Sequence, residues 1–291
     1  MLILAGNRAG RIMALGKFTG AAVCAALAAA LAAGPTAAKK AKLPTPDHII
    51  IVMEENHSYD DIIGNGQAPY INSLAQSGAS FTDSHAITHP SQPNYLELFS
   101  GSTQGVTDDS CPHSFSVDNE ASQLIAAGLT FVGYSEGLPG EGSEVCTSGE
   151  YARKHSPWTN FTNLPKTANE PYTAFPTKLK KLPTVSWVIP DLLDDMHDGT
   201  IAQGDTWLKN NIAPYVTWAM THNSLLIVTW DEDDGSQSNQ IPTIFVGPMV
   251  KAGQYSEYIT HDNVLATIEA MYGLAPLGNA AKVKPIKDVW Q

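Results

Sequence analysis

Residues 48–54 read HIIIVME, a continuous run of β-branched and apolar side chains followed by acids. Such a run is typical of a strand that is buried on both faces of a parallel sheet. Four further stretches have the same character: TFVGYSE (130–136), TVSWVIP (184–190), SLLIVTWDE (224–232) and IPTIFVGP (241–248). Segments with helical features lie between or beside them, over residues 69–77, 93–100, 119–127, 205–221 and 261–272. The alternation predicts an α/β fold, with a mainly parallel central sheet and helices on both faces.

The N-terminal segment differs from the rest of the chain. Three basic residues precede an apolar run at residues 21–33, and small residues follow as far as Ala38. This pattern is typical of a secretory signal peptide, which we expect to span residues 1–38. An uncleaved N-terminal anchor is the alternative. A Lys/Pro linker is expected at 39–46, and one catalytic domain over 47–291.

The charge balance restricts the class of partner. The chain has 17 basic and 29 acidic residues, a net charge of −12, and loss of residues 1–38 leaves 14 against 29, or −15. So acidic a surface argues against nucleic acid as a partner. An anionic substrate would then need cations held locally by some of the carboxylates. We expect a monomer. We also expect no transmembrane segment in the mature protein, because no later stretch approaches 18 uninterrupted apolar residues.

The cysteines indicate the compartment. Cys24 would leave with the signal peptide, so the mature chain would keep Cys111 and Cys146. An even count in an oxidising compartment predicts one disulfide between them and a secreted or periplasmic protein. Two free thiols are the alternative.

Acidic side chains follow three of the predicted strands. They lie at residues 54–60, 191–198 and 231–234. The chemistry of open α/β sheets lies beyond the carboxyl ends of the strands, so these residues are expected at one rim. Like charges brought together repel unless cations hold them, which predicts a metal site. Taken singly, each cluster also reads as a solvated acidic loop.

The stretch THPSQPNY (88–95) places Ser91 between two prolines, beside the start of a predicted helix. A helix N-terminus favours phosphate. A serine hydroxyl is a weak nucleophile unless a base or a metal activates it. Ser91 does not lie in a Gly-x-Ser-x-Gly elbow, because His89 and Pro93 stand where the two glycines would be, so metal activation is the better fit. An ordinary N-cap serine is the alternative.

Five motifs in order resemble the phosphoesterase family of bacterial acid phosphatases and phospholipases C, within the alkaline phosphatase-like superfamily. They are IIIVMEENHSYDDIIG (49–64), THPSQPNYLELFSG (88–101), VIPDLLDDMHDG (188–199), VTWDEDDG (228–235) and THDNVLATIEAMYGL (260–274). The resemblance covers about residues 47–278 and implies an alkaline phosphatase-like sandwich. The compact size is most like short secreted acid phosphatases, some of them described as phosphatidylinositol-3-phosphatases.

The resemblance also implies a catalytic site. Ser91 matches the family nucleophile, and Asn56 would donate to the phosphate or orient that serine. Glu55, Asp231 and Glu232 would hold one cation together with the Ser91 hydroxyl. A carboxylate-rich ligand set favours Ca²⁺, Mg²⁺ or Mn²⁺ over Zn²⁺.

A second cation is a weaker implication of the same resemblance, and a single-metal site is the alternative. Its expected ligands are Asp191, His197 and His261. Three further residues are expected to contact substrate phosphate: Asn94, Lys154 and His155. The neighbouring Asp194, Asp195 and Asp198 read as solvated loop charges.

The function implied is that of a secreted, metal-dependent phosphatase, a phosphoric monoester hydrolase that acts through a phosphoserine. Its partner would be a phosphorylated small molecule or a phospholipid such as a phosphoinositide. A phospholipase C-type phosphodiesterase is the alternative enzyme. A catalytically silent, metal-stabilised binding module is the alternative outside enzymes.

Overall fold

In the computed structural model, an eight-stranded sheet runs through the centre of the described residues, 43–291. The expected signal peptide at 1–38 and the first part of the 39–46 linker lie outside the described residues. The strands are β1 (His48–Glu54), β2 (Ala79–Phe81), β3 (Ser84–His85), β4 (Phe131–Ser135), β5 (Thr147–Ser148), β6 (Tyr151–Ala152), β7 (Asn169–Pro171), β8 (Val185–Ile189), β9 (Ser224–Trp230), β10 (Thr243–Val246), β11 (Gly253–Tyr255) and β12 (Ile259–Thr260). The helices are α1 (Tyr59–Ile62), α2 (Pro69–Ser77), α3 (Ser91–Ser100), α4 (Glu120–Ala126), α5 (Ile201–Ala219) and α6 (His261–Tyr272).

The order of the strands in the large sheet is β11-β2-β10-β9-β1-β8-β4-β7. β1 is parallel to both of its neighbours, so that Ile51 pairs with Trp187 of β8 and with Ile227 of β9. Only β10 runs antiparallel to the strands beside it. The prediction of a mainly parallel sheet is therefore confirmed, and the carboxyl ends of β9, β1, β8 and β4 lie side by side.

Helices cover both faces of the sheet, as predicted. The side chains of β1 alternate, and Ile51 packs into one buried cluster with residues of α3, α4 and α6. Val52 packs into a second cluster with residues of α2 and α5. Each fully buried aliphatic side chain of this kind contributes about 1.5–3 kcal/mol to the free energy of folding. A strand with apolar side chains on both of its faces is therefore most stable at the centre of the sheet, where helices cover both faces.

Local sequence explains where the longest helices begin and end. Thr200 caps α5 by accepting from the Gln203 N–H at 3.2 Å. α6 ends at Gly273, whose φ of 68° lies in the left-handed region that glycine tolerates best. Pro214 lies inside α5, which continues through it as one element.

The segment at residues 137–175, between β4 and β8, is in part buried. Trp158 and Phe161 from it belong to the core cluster on the α3 side of the sheet. The predicted disulfide is present between Cys111 and Cys146, with an S–S distance of 2.06 Å. Over residues 43–291, the structure has no helix that is both long and apolar enough to cross a bilayer.

Candidate active site

The ends of β8, β1 and β9 bring their acidic residues to one rim. The Glu55 N–H donates to the Asp195 carbonyl at 2.8 Å, and the Asp231 N–H donates to the Glu54 carbonyl at 3.0 Å. These bonds join the loops that follow the three neighbouring strands. The expectation that the acidic strand ends converge is therefore met by the geometry.

Ser91 is the first residue of α3, and its side chain faces this rim. Its hydroxyl lies 2.9 Å from Glu55 Oε2 and 3.3 Å from Glu232 Oε1, so either carboxylate can accept its proton. Ser91 is 1% exposed. Ser91 is thus held against carboxylates, whereas an ordinary N-cap serine at the surface would be exposed to water.

Glu55 is surrounded by donors on several sides. Tyr95, one helical turn after Ser91, donates its hydroxyl hydrogen to Glu55 Oε1. His155 Nε2 lies 3.0 Å from the same oxygen. Burial, and then the charge of Asp195, raise the pKa of the Glu55 carboxyl well above its ordinary value. A charged Glu55 consequently needs these donors, or a cation, to offset its desolvation.

His155 is buried between carboxylates, and its expected contact with substrate phosphate stays a prediction. It is 1% exposed and lies between two carboxylates, with Nδ1 at 3.1 Å from Asp195 and its ring stacked on Tyr95 at 5.0 Å. Burial, followed by the charges of Lys154 and His197, lowers its pKa well below the usual value. A neutral imidazole has one N–H, so it can donate to only one of the two carboxylates.

Asp195 was read from the sequence as a solvated loop charge, and that reading is wrong. Its side chain is fully buried, because the carboxylate turns inward to His155 while Oδ1 accepts from the His197 N–H at 2.8 Å. Burial raises its pKa well above the ordinary value. Asp198, in contrast, is exposed, as expected.

Asn56 connects the ligands expected from β9. Its N–H donates to Asp231 Oδ1 at 3.2 Å, and its side-chain amide donates to Glu232 Oε1 at 3.1 Å. Asn56 has a φ of 50°, in the left-handed region, which costs about 1 kcal/mol and is best tolerated by asparagine and glycine. The conformation aims both donors at the carboxylates.

His89 was given no role from the sequence, although it precedes the Pro90-Ser91 pair. Its Nδ1 lies 2.7 Å from Glu232 Oε2, and its Nε2 lies 3.2 Å from Asp233. With a side chain 47% exposed, it is the solvent-facing member of the group. Its charge lowers the pKa of Glu232, although burial raises that pKa overall.

Lys154 supplies positive charge beside the site, and its expected contact with substrate phosphate stays a prediction. Its Nζ lies 3.0 Å from Asp109 and 3.3 Å from His197 Nε2. Burial works to lower the Lys154 pKa, but the charges of Glu55 and Asp109 raise it overall, so the ammonium stays charged. Asp109 was not singled out from the sequence.

Asn94 is fully buried and holds the loop before Ser91. Its Oδ1 accepts from the Ile87 and Thr88 N–H groups at 3.0 and 3.1 Å, and its amide donates to the Thr88 carbonyl at 2.8 Å. These backbone contacts use its polar atoms. Contact with substrate phosphate, expected from the sequence, stays a prediction without a free donor to support it.

The residues expected at a second cation have different neighbours. His197 contacts Asp198 at 2.8 Å, and His261 Nε2 contacts the Asp231 carbonyl at 2.8 Å. Burial lowers the His261 pKa to about 4. Asp191 lies beside the carboxylates of Glu136 and Asp194. Among residues 43–291, these three side chains do not form a common ligand group.

The donors around Ser91 fit a hard cation. The buried oxygens Asp231 Oδ2 and Asn56 Oδ1 have no hydrogen-bond partner within the described residues. Together with Glu55, Glu232 and the Ser91 hydroxyl they offer only oxygen atoms, the ligand type that Ca²⁺, Mg²⁺ and Mn²⁺ prefer. Within residues 43–291, the group of ligand atoms within 4.8 Å of one another that includes Glu55 is completed by His155 and Asp195, and not by Asp231 and Glu232.

Comparison with known proteins identifies the family. The Phosphoesterase family profile matches residues 65–275. The chain belongs to the phosphoesterase family. A phosphatidylinositol-3-phosphatase of Mycobacterium tuberculosis is 54% identical over 251 residues, which cover 85% of this chain and 84% of the relative. An acid phosphatase of Aspergillus fumigatus is 30% identical over 78% of this phosphoesterase, which spans 55% of that longer protein.

Solved structures with the same fold confirm the alkaline phosphatase-like architecture. An alkaline phosphatase superfamily protein from Vibrio parahaemolyticus matches with a TM-score of 0.57 at 12% identity, over 84% of this phosphoesterase and 71% of that chain. A phosphonate monoester hydrolase from Silicibacter pomeroyi matches with a TM-score of 0.56 at 11% identity, over 84% and 76%. At these identities the likeness concerns the fold alone.

Proposed function

We propose that this phosphoesterase is an exported, cation-dependent phosphomonoesterase that works through a phosphoserine at Ser91, with phosphoinositides among its substrates. The observation that carries the proposal is the buried Ser91 hydroxyl, held by Glu55 and Glu232 at the first turn of α3. The similarity to a phosphatidylinositol-3-phosphatase supports the substrate class. Export is supported by the signal-like residues 1–38 and by the disulfide.

The chain's own residues provide most of the reaction. Ser91 Oγ forms a bond to phosphorus, its proton passes to the carboxylate that accepts its hydrogen bond, and the bond from phosphorus to the ester oxygen breaks. The alcohol leaves with the proton that the carboxylate received. Water then attacks the phosphoserine, its hydroxyl oxygen bonding to phosphorus and its proton passing to Ser91 Oγ, which releases inorganic phosphate and restores the serine. Lys154 lies beside the site with a charge that attracts the phosphate dianion.

One divalent cation would be held by Glu55, Asp231, Glu232 and the Ser91 oxygen, with Asn56 contributing its free carbonyl oxygen. When bound, it supplies positive charge that stabilises the serine oxyanion and the developing charge on phosphate. Asn56 then orients the two carboxylates of β9 through its backbone and side-chain N–H groups. Tyr95 holds Glu55 in the same way from the side of α3.

Substitution of the nucleophile tests the proposal. Ser91→Ala should lower phosphate release from p-nitrophenyl phosphate by at least about 1,000-fold, and the melting temperature should stay nearly constant. Ser73→Ala, on an exposed position of α2, is the matched control and should retain activity. Substantial activity in Ser91→Ala would overturn the nucleophile assignment.

A substrate panel separates monoester from diester cleavage. Wild-type protein is given phosphatidylinositol 3-phosphate and phosphatidylcholine side by side, and inorganic phosphate and diacylglycerol are measured. We expect inorganic phosphate from the first lipid only. Diacylglycerol as the main product would show a phosphodiesterase instead.

A further inference from the structure

A second group of carboxylates lies on the other side of the sheet from Ser91. Glu136 directly follows β4, while Asp191 and Asp194 follow the neighbouring β8. Each of the three places one oxygen within 4.8 Å of the others. Two oxygens on opposite sides of one Ca²⁺ are about 4.6–5.2 Å apart, so this spread fits a single coordination sphere.

Glu54, the last residue of β1, is a fourth carboxylate on the same side of the sheet, close enough for the charges of Asp194 and Glu136 to act on it. It is fully buried, and neither of its carboxylate oxygens has a hydrogen-bond partner within the described residues. It lies on the face of β1 that carries Val52 and packs against α5. Burial raises the Glu54 pKa well above its ordinary value, and the charges of Asp194, Asp205 and Glu136 raise it further.

These carboxylates have little to neutralise them. No lysine, arginine or histidine of residues 43–291 forms an ion pair with any of them. Asp194 accepts one hydrogen bond, from Gln203 at 3.3 Å, and Asp191 accepts from the Leu193 and Asp194 N–H groups at 3.1 and 3.2 Å. A buried, unpartnered carboxylate beside three others requires either bound protons or a bound cation.

We infer that Glu136, Asp191 and Asp194, backed by Glu54, form a structural site for a hard divalent cation of the Ca²⁺ type, separate from the proposed catalytic cation. All the ligand atoms are oxygens, which favours Ca²⁺ over Zn²⁺. The site is distinct from the Ser91 mechanism, because the Ser91 hydroxyl bonds to Glu55 and Glu232 and to none of these four side chains.

The site would order the loop that completes the active site. Asp194 faces the carboxylate group, whereas the next residue, Asp195, turns to the opposite side and contacts His155 at 3.1 Å. A cation that fixes Asp191 and Asp194 therefore fixes the backbone that presents Asp195. The same alternation places Glu54, the last residue of β1, and Glu55, which follows it, on opposite sides.

Thermal melting of the Asp231→Asn variant tests this site separately from the catalytic one. The variant lacks a ligand of the proposed catalytic cation, so stabilisation by Ca²⁺ reports on the Glu136, Asp191 and Asp194 group. Protein treated with EDTA receives Ca²⁺ alone. We expect the melting temperature to rise by about 5–10 °C at 100 times the dissociation constant, and equilibrium dialysis to show one bound Ca²⁺. Adding Glu136→Gln or Asp194→Asn should remove both the shift and the bound ion.

Two further variants make the result decisive. Glu54→Gln should weaken Ca²⁺ binding at least about 10-fold, whereas Glu150→Gln, an exposed acid outside the group, should leave it unchanged. Ca²⁺ should also slow chymotrypsin cleavage at the exposed Leu193. The inference is overturned if Ca²⁺ causes no shift in the Asp231→Asn background, or if Glu136→Gln and Asp194→Asn keep the shift. Protons would then neutralise the carboxylates.

Discussion

Ser91 Oγ lies 2.9 Å from Glu55 Oε2, and both side chains are buried. The contact joins the first turn of α3 to the carboxyl end of β1, 36 residues away in sequence. It places the proposed nucleophile against a carboxylate whose own orientation depends on Tyr95 and His155. Under the proposed mechanism, the position of Glu55 therefore sets how readily Ser91 loses its proton.

Tyr95→Phe removes the hydroxyl that donates to Glu55 and leaves the ring in place. A hydrogen bond to a charged group contributes about 1.5–3 kcal/mol, so we expect cation affinity or kcat to fall by about 10- to 100-fold. The KM for p-nitrophenyl phosphate should change little, because Tyr95 is fully buried. Activity titrated against added Mn²⁺ measures the effect. Tyr258→Phe, at an exposed position, is the control; an equal loss there would contradict the assignment.

His155→Gln tests whether this buried histidine positions Glu55 and Asp195. Glutamine can donate hydrogen bonds but does not stack on Tyr95 or span the two carboxylates. We expect kcat to fall by roughly 10- to 100-fold and the Mn²⁺ concentration for half-maximal activity to rise. His113→Gln, near the disulfide, should behave as wild type. If only KM rises in His155→Gln, the residue contacts substrate phosphate as first expected.

Lys154→Gln tests the proposed phosphate contact. The substitution removes the charge that lies 3.0 Å from Asp109, beside the site. We expect KM for p-nitrophenyl phosphate to rise by about 10-fold or more, with a smaller change in kcat. Steady-state kinetics at fixed cation concentration measure both constants. Lys178→Gln, on the exposed surface, controls for loss of positive charge; an unchanged KM in Lys154→Gln would exclude the contact.

Much of the fold could be predicted from local patterns. β1 and the helices at 69–77 and 261–272 were placed at their observed bounds, because each has a strong apolar pattern between clear boundaries. The segment ASFTDSHAI at 79–87 contains two short strands, β2 and β3. Short strands depend on their pairing partners, here β10 and β11 for β2 and β12 for β3, which local sequence does not show.

The site was predictable in part. Acidic residues at strand ends indicated the rim, but the sequence could not show that Asp194 and Asp195 turn to opposite sides. Their burial depends on His155 and Glu136, which come from other parts of the chain. Tyr95 could have been found, since residues four apart on a helix share a face and it follows Ser91 by four.

Glu120→Gln tests how buried carboxyls far from the proposed cations affect stability. Glu120 is fully buried and accepts from the Trp187 indole N–H at 2.7 Å. Burial raises the Glu120 pKa from 4.5 to about 8. Because the folded pKa is the higher one, the protonated form stabilises the fold: the contribution is complete below about pH 4.5 and is lost as the pH rises through about 8.

We therefore expect the melting temperature of EDTA-treated wild type to fall between pH 5 and pH 8, and the fall to be smaller in Glu120→Gln. Glutamine keeps an acceptor for Trp187 but carries no charge. At pH 8 the variant should be more stable by on the order of 2 kcal/mol, or about 4–8 °C. The two proteins should melt at similar temperatures at pH 5.

Asp118→Asn, which changes an exposed acid two residues away, is the control and should keep the wild-type pH dependence. Equal pH slopes for wild type and Glu120→Gln would show that Glu120 is not protonated in the folded protein at neutral pH.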